Sequence, residues 1–154
     1  MRGPVIALII LSAVVAACAD AGSPGPVTAQ PGRPALRITL SSDRQSYAVG
    51  QPVALTLTVE NTGSAPVAII APTAQLYDFA VLRGDQEVWR WGADGAFAAQ
   101  ITEWSVAPGE RREFSQTWRP SPTSQGSGDY TAVATLMGTA AMGVQPMRLT
   151  IAVR

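Results

Sequence analysis

Residues 36–153 predict an all-β domain, an antiparallel β-sandwich, and three observations carry the prediction. Apolar residues recur at every second position in short runs. Turn-forming residues interrupt these runs every 8 to 15 residues. No segment shows a sustained apolar stripe at helical spacing. The 154-residue chain supports a single domain of this kind, large enough to bury a core without disulfides or metal.

Taken in order, the first run sets Leu36, Ile38 and Leu40 against Arg37 and Thr39. The second, residues 52–63, alternates Val53, Leu55, Leu57 and Val59 with Ala54, Thr56, Thr58 and Glu60, then turns at Asn61-Thr62-Gly63. Outward threonines favour strand and suit a solvated face. Further runs lie at 66–70, 76–82, 86–91, 101–106, 112–118, 129–137 and 147–153, which makes about 8–9 strands. In "LYDFAVLRGDQEVWRW", Tyr77, Phe79 and Val81 form one face of a strand, and Trp89 and Trp91 share a face of the next. Arg83-Gly84-Asp85 is the hairpin turn between them, not an adhesion tip. The expected outcome is an aromatic core layer with the charged neighbours turned outward.

"GSGDYTAVA" places Tyr130 at the start of a late strand after a Gly/Ser-rich turn. That pattern resembles the tyrosine corner of immunoglobulin-like sandwiches, in which the hydroxyl bonds back to the backbone. Two residues on stands Ala132, where a disulfide-bonded domain has Cys, so packing alone must hold this core.

Ahead of the domain, Arg2 and an apolar run of 13 residues, Val5 to Ala17, end in "VAAC". The run is shorter than the roughly 20 residues a spanning helix needs. It suits a secretory signal peptide over 1–17. Cys18, the only cysteine, is then the lipidation site of a bacterial lipoprotein, and residues 18–34 form a flexible tether with Pro at 24, 26, 31 and 34. The chain is expected to be exported and lipid-anchored in the bacterial cell envelope, on the periplasmic or outer face of the membrane. Cleavage removes Arg2 and leaves 10 basic against 11 acidic side chains, so the anchor is the lipid and not a polybasic patch.

All 11 basic residues are Arg; Lys and His are absent. This removes the usual general base, the commonest metal ligand and the Schiff-base amine together. The charge balance argues against a nucleic-acid partner. Candidate carboxylates are Asp78, Asp94, Glu103, Glu110 and Asp129, but spacing does not bring any two across a cleft. Asp78, alternating with Tyr77 and Phe79, is expected to face solvent or bond a neighbouring turn. Met137, Met142 and Met147 recur at an interval matching neither face of a strand and read as core and loop residues, not as a copper site. Calcium at Asp94 or Asp129 lacks the repeated oxygen ligands the ion needs. No catalytic residue, metal site or cofactor is expected.

"YAVGQPVALTLTVENTGSAPVAI", "YDFAVLRGDQEVWRW", Phe97, "PGE" at 108–110, Phe114, Trp118 and "GDYT" at 128–131 follow one another in a spacing that resembles the BsuPI-type intracellular proteinase inhibitor family. The resemblance covers residues from about 36 to 153. It implies an immunoglobulin-like sandwich that binds a proteinase through exposed loops, with the matching residues acting as framework. The expected function is a membrane-tethered, non-enzymatic protein-binding domain, monomeric, with a proteinase as partner. The alternative is an envelope accessory module that assists assembly or adhesion without inhibition. Candidate loops are 92–100 and 119–128, and the candidate contact residues are Arg119, Pro120, Ser121, Pro122 and Thr123. For active-site insertion such a loop must be extended, and Arg119 suits a proteinase that prefers basic side chains.

Overall fold

The computed structural model describes residues 35–154. The expected signal peptide, Cys18 and the tether over 18–34 lie outside the described residues. Ten strands form: β1 Leu36–Ser42, β2 Ser46–Tyr47, β3 Val53–Asn61, β4 Val67–Ala71, β5 Tyr77–Arg83, β6 Gln86–Arg90, β7 Thr102–Val106, β8 Arg111–Trp118, β9 Gly128–Leu136 and β10 Met147–Val153. Two 3₁₀ turns, Trp91–Asp94 and Ala140–Met142, interrupt the connections. The strand beyond those read from sequence is the two-residue β2, too short to show any period.

A three-stranded sheet of order β1-β3-β8 faces a five-stranded sheet of order β2-β10-β9-β5-β6. All pairings are antiparallel except that of β2 with β10. This is the β-sandwich the alternation predicts, immunoglobulin-like as the Tyr130 pattern and the family resemblance imply. Val53, Leu55, Leu57 and Val59 of β3 are wholly buried, while the intervening threonines are half-exposed. Each such aliphatic side chain contributes about 1.5–3 kcal/mol when removed from water. Across from them lie Phe79 and Val81 of β5, Tyr130, Ala132 and Ala134 of β9, and Ile151 and Val153 of β10.

A third sheet pairs β4 with β7. It continues the β3–β8 ribbon past a bend at which buried Asn61 satisfies the backbone. The Asn61 side-chain amide donates to the carbonyls of Ala65 and Val106, both at 2.8 Å. Its Oδ1 accepts from Gly63 N at 2.9 Å. The Asn61-Thr62-Gly63 segment is therefore a turn, and its first residue is the clasp that lets the ribbon bend without leaving polar groups unpaired.

Tyr130 donates its hydroxyl to Gly126 O at 2.6 Å, so the tyrosine corner forms as expected. Its ring lies 5.0 Å from that of the fully buried Trp118. This aromatic pair fills the core where Ala132 leaves no disulfide.

Two expectations need correction. Trp91 does not share a strand face with Trp89, because β6 ends at Arg90 and Trp91 opens the 3₁₀ turn. Asp78 does not face solvent; only 4% exposed, it pairs with Arg90 and accepts from Gly92 N at 3.1 Å. It thus bonds the neighbouring turn, the other expected role. Alternation fails at Asp78 and Ala80 because both faces of β5 are covered.

Candidate functional site

The connection from β8 to β9, residues 119–127, crosses from the edge of the three-stranded sheet to the middle of the five-stranded one. A long crossing with Pro and Ser needs fixed points, and Gln125 supplies the first. Its backbone N–H donates to Ser121 O at 2.7 Å and its side-chain Oε1 accepts from Ser121 N at 2.9 Å. The Gln125 amide nitrogen also donates to Val88 O of β6 at 2.8 Å. Val88 is the extra residue of a bulge opposite Val81 and Leu82, which leaves its carbonyl free for this bond.

Below the turn, the Tyr130 hydroxyl holds Gly126 O, and the Arg83 guanidinium donates to Ser127 O at 3.1 Å. Arg83 also lies 5.6 Å above the Tyr130 ring. The Arg-Gly-Asp stretch is therefore framework: its arginine clamps the loop base, and Gly84, at φ 59°, makes the two-residue turn.

Of the candidate contact residues, Arg119, Pro122 and Thr123 are exposed, Ser121 is half-buried and Pro120 is buried. They do not form one presented segment. Pro120 is an internal anchor, and Ser121 starts the closed turn. Pro122, Thr123 and Ser124 form the projecting tip. The 121–125 segment is a closed turn and not the extended strand that active-site insertion requires. Arg119 precedes the turn and has no ion pair among the described residues.

Residues 48–51, not anticipated from the sequence, join this tip. Gln51 N donates to Ala48 O at 2.9 Å, and Val49 N donates to Arg154 O at 3.2 Å. A Cβ on Gly50 would stand 3.2 Å from Pro122 Cγ, so the two turns touch. Val49, 39% exposed, is the apolar residue of this surface. The signal available was Gly50 itself, whose φ of 82° marks a tight turn. Nearby, the Tyr47 hydroxyl donates to Asp43 Oδ1 at 2.7 Å and holds that carboxyl below its usual range. Burial, then the bond to Asp43, raises the Tyr47 phenol.

The other candidate loop, 92–100, is exposed except at Gly92 and Phe97. Phe97 packs at 5.5 Å on Trp91, which stacks on Tyr77 at 4.6 Å. Phe114 of β8 completes the column, again 4.6 Å from Tyr77. Among the described residues, no three His, Cys, Asp or Glu side chains gather as metal ligands, and no helix is long and apolar enough to cross a membrane.

An all-β sandwich with a braced turn at the tyrosine corner is the setting for comparison with known proteins. Residues 40–141 match the family described as BsuPI, intracellular proteinase inhibitor. The chain belongs to this family. No curated protein matches it. Among solved structures, the CARDB domain of the PF1109 protein from Pyrococcus furiosus is similar at 14% identity, covering 77% of this chain and 87% of that one, with a TM-score of 0.48. The sporulation control protein Spo0M from Bacillus subtilis is similar at 18% identity, covering 78% and 49%, with a TM-score of 0.46. The alkylpurine DNA glycosylase AlkC from Pseudomonas fluorescens is similar at 16% identity over 78% of this chain, with a TM-score of 0.47. This chain spans 30% of the length of that glycosylase and 13% of a Paenibacillus glucanotransferase.

Proposed function

We propose that this BsuPI-family domain is a non-enzymatic protein-binding module that engages a proteinase through the paired turns 48–51 and 121–125. The observation that carries the reading is the bracing of Ser121–Gln125 by three hydrogen bonds through one residue, Gln125, in a family described by proteinase inhibition. A tip fixed before binding loses little conformational freedom on docking. Because 121–125 is closed, contact is made by a convex tip, and no peptide bond of that turn is laid out for cleavage. Arg119 precedes the tip in the chain and forms no ion pair among the described residues.

The signal sequence and Cys18 support export and anchoring by lipid in the cell envelope. The tether over 18–34 then places the module away from the membrane surface. The partner is accordingly a proteinase reachable from that compartment.

The test measures slowing of a broad proteinase panel by the 35–154 domain at stoichiometric concentration, with mass spectrometry of the recovered domain. Inhibition with an intact chain, abolished by Gln125→Ala together with Pro122→Gly, is the expected result. Uninhibited activity across the panel, or cleavage within 121–125, overturns the reading. Cys18→Ser is expected to release the protein from membranes, and continued retention would count against the anchor.

A further inference from the structure

We infer that the outer face of the β4–β7 sheet sits on the lipid surface and leaves the paired turns pointing away from it. The inference rests on the lipid anchoring proposed above. Among the described residues, three large apolar side chains are exposed: Val49, Ile70 and Ile101. Val49 belongs to the paired turns. Ile70 and Ile101, 55% and 76% exposed, lie elsewhere and have no role in the proposed partner surface.

The two isoleucines share one face. β4 buries Ile69 and Ala71, and β7 buries Trp104 and Val106, so period two turns Ala68, Ile70, Glu103 and Ser105 to the outer side. Ile70 stands opposite Glu103, and Ile101, two residues before Glu103, continues the same row. Ile70 and Ile101 are therefore diagonal neighbours. Glu103 is the one charged residue of this row, and no residue in it is basic. The face thus offers apolar contact, not attraction to anionic headgroups.

The place where the chain enters the domain points to what covers this face. The Ala35 carbonyl accepts from Thr62 N at 2.7 Å and from Thr62 Oγ1 at 3.0 Å. A Cβ on Gly63 would stand 2.7 Å from Ala35 Cβ. The Asn61 amide joins this same bend to Ala65, just before β4, and to Val106, the last residue of β7. The segment leading back to Cys18 therefore meets the domain where the β4–β7 sheet begins. The paired turns lie at the other end of β3, because Val53 pairs with Trp118. The nine residues of β3 set the two ends apart, by roughly 26 Å. Two isoleucines are too few to hold a free protein on a bilayer. A lipid joined to the chain at this end keeps them beside the surface, where the second contact is intramolecular and only has to select an orientation.

The experiment places the lipidated full-length chain on phosphatidylcholine vesicles that carry a spin-labelled lipid, with a fluorophore on Ser105→Cys or on Thr123→Cys. Acylated Cys18 leaves the introduced thiol as the one that takes the label. Fluorescence at Ser105 is expected to be quenched several-fold more than at Thr123. Ile70→Ser with Ile101→Ser leaves the core intact, since both side chains are exposed. This double variant is expected to lower quenching at Ser105 to the Thr123 value while the chain still floats with the vesicles. Equal quenching at both positions of a floating chain, or quenching at Ser105 that survives the double variant, overturns the inference and leaves the anchor standing. Ser105 labels that quench one another until unlabelled chain dilutes them overturn it in favour of a second copy. A wild-type chain that does not float overturns the anchoring reading, and the inference falls with it. The proteinase panel uses the 35–154 domain in solution, so the paired turns succeed or fail separately.

Discussion

Asp78 and Arg90 form an ion pair across β5 and β6, and the residue that follows Arg90 is the tryptophan that stacks on Tyr77 in the aromatic column. One Asp78 oxygen takes the guanidinium and the other takes Gly92 N–H, so the carboxylate holds the Arg90 side chain and the Gly92 backbone on either side of Trp91. Arg90 is held from below by Glu87, whose carboxyl the guanidinium keeps below its usual range. Trp91 is thereby aimed flat onto Tyr77, 10° from parallel.

Asp78→Ala removes both grips and leaves Gly92 N–H without its acceptor. It is expected to lower stability by about 2–3 kcal/mol, the usual cost of breaking a buried, charged hydrogen-bond set. Asp78→Asn keeps an acceptor for Gly92 and is expected to cost less. Urea titration measures the loss, and near-ultraviolet dichroism is expected to show reduced Trp91–Tyr77 coupling in the Ala variant alone. Equal spectra for the two variants would show that the grip does not aim Trp91.

This site also marks the limit of reading from sequence. The strands of β3, β9 and β10 were legible because one face of each is buried and period two follows from that. The tyrosine corner was legible because a single residue type after a turn defines it. For Asp78 the bond to a neighbouring turn was one of two roles read, but alternation could not choose it, since β5 is covered on both faces. Gln125 was hidden. The bond that ties it to β6 depends on a bulge at Val88, 37 residues away, and nothing in "SPTSQGSG" encodes that distance.

Asn61 offers a sharper test because its amide donates to two carbonyls while buried. Asn61→Ala is expected to cost about 2–4 kcal/mol, from several lost bonds and unpaired carbonyls at the ribbon bend. Asn61→Asp retains an acceptor for Gly63 N but faces both carbonyls with a carboxylate. Burial and those carbonyls favour the protonated acid, so this variant is expected to recover stability relative to wild type as pH falls from 7 to 4. Denaturant midpoints of both proteins at the two values measure it; an unchanged difference would mean that the side chain has swung out to solvent.

Two glycines with the same backbone sign separate strain from contact. Gly138 has φ 80° and Gly143 φ 73°. A Cβ at Gly143 meets nothing, whereas one at Gly138 clashes with the Ile70 carbonyl. Gly143→Ala is expected to cost about 1–2 kcal/mol from the left-handed backbone alone. Gly138→Ala adds an overpacking cost of about 1–3 kcal/mol, because β4 would have to move. Comparable melting temperatures for the two variants would show that β4 yields freely to the loop after β9.

The pH profile follows from a chain with no histidine or lysine. The Tyr47 hydroxyl holds the Asp43 carboxyl below its ordinary 3.8, and Arg90 holds Glu87 below 4.5. The Ala107 backbone N–H, then Arg112, hold Glu110 below 4.5. A depressed carboxyl contributes stability above its unfolded value and loses it as pH falls through the folded one, so this limb lies below about pH 4. Tyr47 behaves oppositely: its phenol is raised from 10.0, so its contribution is full below that value and disappears as pH rises through the raised one. Residues 35–154 contain no histidine, so the midpoint of unfolding is expected to be nearly flat from about pH 5 to 9. Glu110→Gln keeps the acceptor for Ala107 N–H and is expected to shorten the acid limb, while Tyr47→Phe is expected to remove much of the alkaline one. A transition between pH 6 and 8 in the 35–154 domain would require a titrating group that these contacts do not contain.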